Sequence, residues 1–258
     1  MPARYPDTLW IIRHGESSGN VARDAADLGR LSVIDISERD VDVPLSPLGH
    51  EQSTALAQWF ADKPSGERPT IVITSPYLRA RQTADPIREL GGVDPNAVWV
   101  VDERLREKEF GILDRLTRYG IEEKFPDQAE ARARIGKFYH RPPGGESWCD
   151  VILRLRSVLD TISLHHSAPG SRVLIVAHQV IVLCLRYLLE EMSEEQILAI
   201  DRVGDVANCG VTEYALDTTR DIPDLERGML LVKYNFVAPL LEAGAPVTVR
   251  PDTAAGPK

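Results

Sequence analysis

Hydrophobic and polar positions follow two different periods along the chain. Thr8 to Ile12, Thr70 to Thr74, Val98 to Val101 and Arg172 to Ala177 are apolar at nearly every position and rich in β-branched residues. That is the pattern of parallel strands buried on both faces. Val211 to Leu216 and Met229 to Tyr234 predict two later strands. Between the strands the period lengthens to that of a helix. Ser46-Pro47 opens one with a side-chain cap and a proline at the first helical position, and Leu48, Leu56, Trp59 and Phe60 supply its buried face. Ser75-Pro76 repeats the device. Ser147 with Asp150 forms a capping-box pattern, after which Trp148, Val151, Ile152, Leu155, Val158, Leu159 and Ile162 mark a long amphipathic helix. Val180 to Leu189, apolar nearly all round, predicts a helix buried beside the sheet, and Ser193 with Gln196 starts a shorter one.

Strands alternating with helices predict an α/β fold, a three-layer αβα sandwich with a mostly parallel central sheet. A chain of 258 residues fits this as one domain, placed over residues 1–237, and no internal repeat divides it. Ser18 to Val43 and Leu105 to His140 are polar or irregular, so both read as excursions over the sheet's edge that shape a pocket. Residues 238–258, rich in Pro, Gly and Ala, read as a C-terminal tail.

Charge sharpens this picture. With a formal net charge of -9 the surface as a whole repels nucleic acid and anionic membranes, so an anionic substrate needs a local basic cluster. Cys149, Cys184 and Cys209 stand in apolar settings without metal-ligand spacing, which suits reduced core thiols and a cytoplasmic protein. No apolar run reaches the roughly 20 residues that span a bilayer, and no leader pattern opens the chain.

In an open α/β sheet, ligands bind outside the carboxyl ends of the strands. Those ends carry Arg13-His14-Gly15-Glu16, Ser75-Pro76-Tyr77-Leu78-Arg79, Arg106-Glu107 and His178-Gln179. The guanidinium forks of Arg13 and Arg79 match the oxygens of a phosphoryl group, and Asn20 and His178 add further donors. An imidazole nitrogen is a competent nucleophile toward phosphorus, so His14 is the candidate for a phosphohistidine, with Glu107 as proton donor and later as base toward water. His50, His140, His165 and His166 lie in helix or loop patterns and read as structural. Arg23, Arg30, Arg115, Tyr119 and Lys124 lie in the two excursions, where solvated surface is the simpler reading and contact with a leaving group the alternative.

Four ordered motifs between Leu9 and Val182 carry a resemblance. Arg13-His14-Gly15-Glu16-Ser17 with Asn20 resembles the R-H-G-E-S-x-x-N signature of the histidine phosphatase (phosphoglycerate mutase-like) superfamily. Ser75 to Ala84 resembles its S-P-x-x-R-A-x-Q-T-A segment, Leu105 to Gly111 its acid-bearing segment, and His178 its second histidine. The resemblance implies the phosphoglycerate mutase-like fold, a phosphorylated His14, Glu107 as acid, and a phosphate pocket of Arg13, Asn20, Arg79 and His178, with no metal or organic cofactor. Gln179 after the second histidine, together with Pro143-Gly144-Gly145-Glu146-Ser147, is similar to the fructose-2,6-bisphosphatase domain, which places Gln179 beside the phosphate as well. No kinase domain accompanies it.

The reading is a metal-independent phosphatase acting on a small phosphorylated metabolite. Phosphoglycerate mutase is the runner-up, weakened because Asp42-Val43-Pro44-Leu45-Ser46 replaces the mutase F-x-G-W-x-D segment and because further basic pocket residues do not stand out in the sequence. A serine hydrolase using Ser17 in Gly15-Glu16-Ser17-Ser18-Gly19 leaves the arginines without a task. A metal site of His14, His178 and Glu107 conflicts with the same arginines. A non-catalytic phosphate-binding module is the remaining class. Substrate identity, and whether the chain forms a homo-oligomer, stay open.

Overall fold

The structure is a computed structural model that describes residues 5–217 and 228–249. Six apolar segments form its sheet: β1 (Thr8–Arg13), β2 (Ile71–Thr74), β3 (Val98–Val101), β4 (Arg172–Ala177), β5 (Val211–Leu216) and β6 (Met229–Phe236). Their order is β3-β2-β4-β1-β5-β6. The first four strands in this order run parallel, and β5 and β6 are antiparallel additions. The expected mostly parallel sheet is therefore present.

The helices in chain order are α1 (Ser18–Leu28), α2 (Pro47–Ala61), α3 (Leu78–Glu89), α4 (Arg118–Lys124), α5 (Pro126–Ile135), α6 (Trp148–His165), α7 (Gln179–Leu189), α8 (Glu194–Val203) and α9 (Ala238–Glu242). Successive strand residues point to opposite faces, so each strand feeds two cores. Leu9, Ile11, Ile73, Val173 and Ile175 meet Val151, Leu155 and Val158 of α6 and the apolar α7. Trp10, Ile12, Val72, Leu174 and Val176 meet Leu56 and Phe60 of α2, Ala80 and Ile87 of α3, and Leu240 of α9. This is the three-layer αβα sandwich, and its demand for apolar residues at both parities explains the unbroken runs of β1 and β4.

Three expectations change. Val98 to Val101 reads as a buried strand but forms the sheet's edge, where among the described residues only β2 pairs with it and Val98 and Val101 are exposed. Ser75 does not cap a helix beginning at Pro76. Helix α3 starts at Leu78 behind Tyr77, without a side-chain cap, and the Ser75 hydroxyl lies 2.8 Å from His178 Nε2. The segment read as a tail is docked over residues 238–249: Leu240 is fully buried, and Gln52 Nε2 donates to Pro246 O at 2.9 Å. Residues 250–258 lie outside the described residues.

The two excursions pack on each other. Ser18 to Leu28 is helical, and beyond it an isolated bridge joins Val33 to Leu116 while Arg115 donates to Ile36 O and Glu38 O. Among the described residues no helix is long and apolar enough to cross a membrane.

Candidate active site

The three central parallel strands end at one level, and their last residues define the site. His14 N donates to Ala177 O at 2.9 Å and Ser75 N to Val176 O at 3.0 Å, so the sheet ladder continues into the loops and holds His14, Ser75 and His178 side by side. The His14 and His178 rings stand 5.2 Å apart at 65°, and both residues are fully buried.

The hydrogen bonds of His14 fix its tautomer. A carbonyl only accepts, so Nδ1 must carry the proton it gives to Gly15 O at 2.6 Å, and Nε2 keeps its lone pair. Arg79 Nε donates to that lone pair at 3.2 Å. A lone pair facing a fixed guanidinium suits an electrophilic phosphoryl group and is the reverse of what a metal ligand needs. Arg79 Nη1 is held by Asp40 through its carbonyl at 2.6 Å and its carboxylate at 2.9 Å, and the guanidinium lies over the Tyr77 ring. Burial and the carboxylates of Asp40 and Glu109 push the Tyr77 phenol up, which keeps it a donor to Glu109 at 3.2 Å. Arg13, also fully buried, donates to Val206 O at 2.5 Å.

Helix α1 brings Asn20 to the same place. Ser17 is its N-cap: Ser17 Oγ accepts from Asn20 N, while Ser17 N and Oγ donate to Asn20 Oδ1. This reciprocal cap accounts for Ser17, and the partner of His178 Nε2 is Ser75, so the elements of a serine nucleophile and its base are not joined. The close approach of α2 completes this wall. A Cβ on Gly49 would sit 1.9 Å from Glu16 O, so only glycine lets the helix touch the loop after His14. Gln179 opens α7, and its Nε2 donates to Asp205 at 2.6 Å, which turns the side chain's donor to a carboxylate.

Glu107 is fully buried on a separate loop, with Oε1 accepting from Lys108 N at 2.7 Å. Arg154 of α6 holds that loop by donating to Arg104 O, to Glu107 O at 3.3 Å, and to both Glu146 oxygens. Glu146 in turn accepts from Glu109 N and Arg106. Burial pushes the Glu146 carboxyl up, but hydrogen bonds from Arg154 and the Arg154 and Arg106 charges outweigh it and hold the group below its usual range.

Beside Glu107 stands a basic cluster that the sequence reading missed. Lys108 is buried, and desolvation, followed by the Arg132 charge, lowers its amine to about 8 despite the pull of Glu107 and Glu146. Burial also lowers Arg132 and Lys137, whose partner is Asp201 at 2.5 Å. His140, read as structural, is buried next to Arg132 and Lys108, and its Nε2 has no hydrogen-bond partner among the described residues. Neighbouring Glu107 in the acid motif was the one available signal for Lys108. Of the residues proposed for the pocket's outer wall, Arg23 is buried and paired with Asp27, Arg115 is spent on the excursion carbonyls, Arg30 stacks on the exposed Tyr119, and Lys124 is exposed.

Known proteins share this arrangement of chain and fold. A 6-phosphofructo-2-kinase/fructose-2,6-bisphosphatase of Caenorhabditis elegans is 30% identical over 225 residues, 86% of this chain but only 43% of that protein, so the chain spans less than half of its length. The phosphoglycerate mutase-like protein AT74H of Arabidopsis thaliana is 30% identical over 79% of this chain and 72% of its own. The native structure of a mycobacterial glucosyl-3-phosphoglycerate phosphatase superposes with a TM-score of 0.65 at 26% identity, covering 90% of this chain and 99% of that one. The sequence model of one family spans residues 9–224, which include the ends of β1, β2 and β4, and on that match the chain belongs to the histidine phosphatase superfamily (branch 1).

Proposed function

We propose that the protein is a phosphatase that hydrolyses a small organic phosphomonoester through a phosphohistidine on His14. The observation that carries this reading is the fixed tautomer of His14, with Nδ1–H anchored on Gly15 O and the Nε2 lone pair presented beside Arg79. In the first step Nε2 attacks phosphorus, the bond from phosphorus to the ester oxygen breaks, and the Glu107 carboxyl gives its proton to the leaving alkoxide. In the second, the Glu107 carboxylate takes a proton from water, the water oxygen attacks phosphorus, and the P–N bond breaks to give inorganic phosphate and the starting imidazole. Arg13, Asn20, Arg79 and His178 hold the phosphoryl oxygens through charge-assisted hydrogen bonds. Gln179 contributes its place at the N-terminus of α7, since its side chain is turned to Asp205.

Lys108 and Arg132 gather positive potential on the Glu107 side, where the leaving group departs, and with burial they hold the neighbouring His140 imidazole below its ordinary pKa. The substrate therefore carries a second anionic group, a phosphate or carboxylate, on its alcohol portion. The same cluster sustains phosphoglycerate mutase as the second reading, because a mutase must seat two anions in one pocket.

The test is phosphate release from p-nitrophenyl phosphate and from singly and doubly anionic metabolite phosphates, with and without EDTA, for the wild type and His14→Ala. Release that survives EDTA, vanishes in the variant and favours doubly anionic substrates is the expected outcome. Interconversion of phosphoglycerates without phosphate release would select the mutase. Binding of these esters with neither activity would leave the non-catalytic module.

A further inference from the structure

We propose that the C-terminal segment acts on the phosphate pocket, with Thr248 as a positioning residue that holds the Asn208 amide and, through it, steadies Asn20 in the orientation that presents its amide nitrogen. The inference rests on the reading of Asn20 as a phosphate ligand. Thr248 lies beyond residues 9–224, over which the chain matches its family, and in the segment that reads as a tail from sequence alone.

The argument is one of hydrogen-bond direction. Gln52, fully buried in α2, accepts from Glu16 N at 2.9 Å through Oε1, so its amide orientation is set by the backbone after His14. Its Nε2 then donates to Pro246 O and to Thr248 Oγ1, both at 2.9 Å. Because Thr248 Oγ1 already accepts from Gln52, its own proton is directed to Asn208 Oδ1 at 3.0 Å. A main-chain bond from Asn208 N to Thr248 O at 2.9 Å keeps the two residues in register. With Oδ1 assigned as acceptor, the buried Asn208 amide must turn Nδ2 the other way, where it donates to His14 O at 3.1 Å and Asn20 Oδ1 at 3.4 Å.

Asn20 Oδ1 thus accepts from Asn208 Nδ2 as well as from Ser17 N and Oγ. The oxygen end of the amide is committed to the helix cap, and the nitrogen end is the one presented to an anion. Donors and acceptors alternate through Gln52, Thr248, Asn208 and Asn20, and the backbone of Ser17 and His14 favours the same orientations, so losing the Thr248 hydroxyl leaves Asn208 Oδ1 without its donor and loosens the amide that backs Asn20. An amide turned oxygen-first would repel phosphate instead of binding it.

The experiment is titration of the full chain with inorganic phosphate by calorimetry, for the wild type, Thr248→Val, Thr248→Ser and Asn20→Ala. Valine keeps the shape of Thr248 but not its hydroxyl, and Leu240 and Val247 still anchor the segment in the core, so the fold is retained. Thr248→Val should bind phosphate about fivefold more weakly, the worth of one hydrogen bond. Thr248→Ser, which restores the hydroxyl, should bind as the wild type does. Thr248→Val binding like the wild type, or Thr248→Ser as weak as valine, would overturn the relay while leaving the pocket assignment intact. No phosphate binding by the wild type, or unchanged binding by Asn20→Ala, would instead strike the pocket assignment and take the relay with it.

Discussion

Replacing Lys108 by methionine should stabilise the fold and weaken recognition of doubly anionic substrates at the same time. The amine stands at about 8 in the folded protein against 10.5 for a solvated lysine, a depression whose first cause is burial. At about 1.4 kcal/mol per pH unit, holding the charge at neutral pH costs the fold about 3 kcal/mol. The folded pKa lies below the unfolded one, so between about pH 8 and 10.5 the unfolded chain binds more protons and wild-type stability rises with pH. Below 8 the full penalty applies, and above 10.5 it is gone. Methionine has similar length and carries no charge, and its thioether can rest against the Phe110 ring where the ammonium now lies 4.4 Å from the centroid. Its advantage over the wild type should be up to about 3 kcal/mol at pH 7 and about 1.4 kcal/mol at pH 9.5. Urea unfolding at the two pH values measures this directly. In parallel, KM for a doubly anionic substrate should rise at least about tenfold at pH 7, while that for p-nitrophenyl phosphate stays put. A stability difference that does not change with pH, or a variant less stable than the wild type at pH 7, would refute the account of Lys108 as a buried charge kept for an anionic substrate. A more stable variant with unchanged KM for both substrates would keep the electrostatics and remove the subsite.

Glu107→Gln should slow turnover of alkyl phosphates far more than of p-nitrophenyl phosphate, whose leaving group needs little protonation; equal losses would count against Glu107 as the acid. Ser17→Ala removes the N-cap of α1 and should lower unfolding stability by about 1 kcal/mol while turnover falls less than about tenfold, whereas complete loss of turnover would revive the serine as nucleophile. Gly49→Ala places a methyl group 1.9 Å from Glu16 O and should destabilise the protein by about 3 kcal/mol or more in urea unfolding, and a neutral effect would show that α2 shifts away without harm.

The sheet was legible because both of its faces are buried, which confines polar residues in β1, β2 and β4 to the strand ends and makes the runs unmistakable. The same rule misled at Val98 to Val101, since an edge strand with two exposed valines has the composition of a buried one. Capping chemistry was legible at Ser46, Ser147 and Ser193, whose hydroxyl oxygens accept from the first turn of the helix, and failed at Ser75, whose hydroxyl is drawn to His178. His14 and His178 could be found because they directly follow strands, and Arg79 because it lies in the first turn of the helix after β2; strand ends of a parallel sheet converge by construction. Lys108, Arg132 and His140 could not, because their convergence depends on how an irregular segment folds back over Glu107, and no periodicity encodes that path.

The two halves of the proposed chemistry are held by different physics. His14 and His178 sit on the sheet itself, where ladder hydrogen bonds from His14 to Ala177 and from Ser75 to Val176 fix backbone positions that cannot shift without breaking the core. Glu107 sits on a loop with no strand beneath it, and its position depends on Arg154, which reaches from α6 to the carbonyls of Arg104 and Glu107 while paired with Glu146. Gly111 allows the loop to close on this anchor: at φ 55° a Cβ would strike Pro143 O at 2.1 Å, which ties the acid segment to Pro143-Gly144-Gly145-Glu146. A buried ion pair of this kind adds little net stability, because desolvating two charges offsets their attraction. Its value here is direction. It gives the loop that carries the proposed proton donor a defined position, as the sheet does for the proposed nucleophile, and it does so with residues of the Glu146 segment and α6 that make no contact with the phosphoryl group in the proposed reaction.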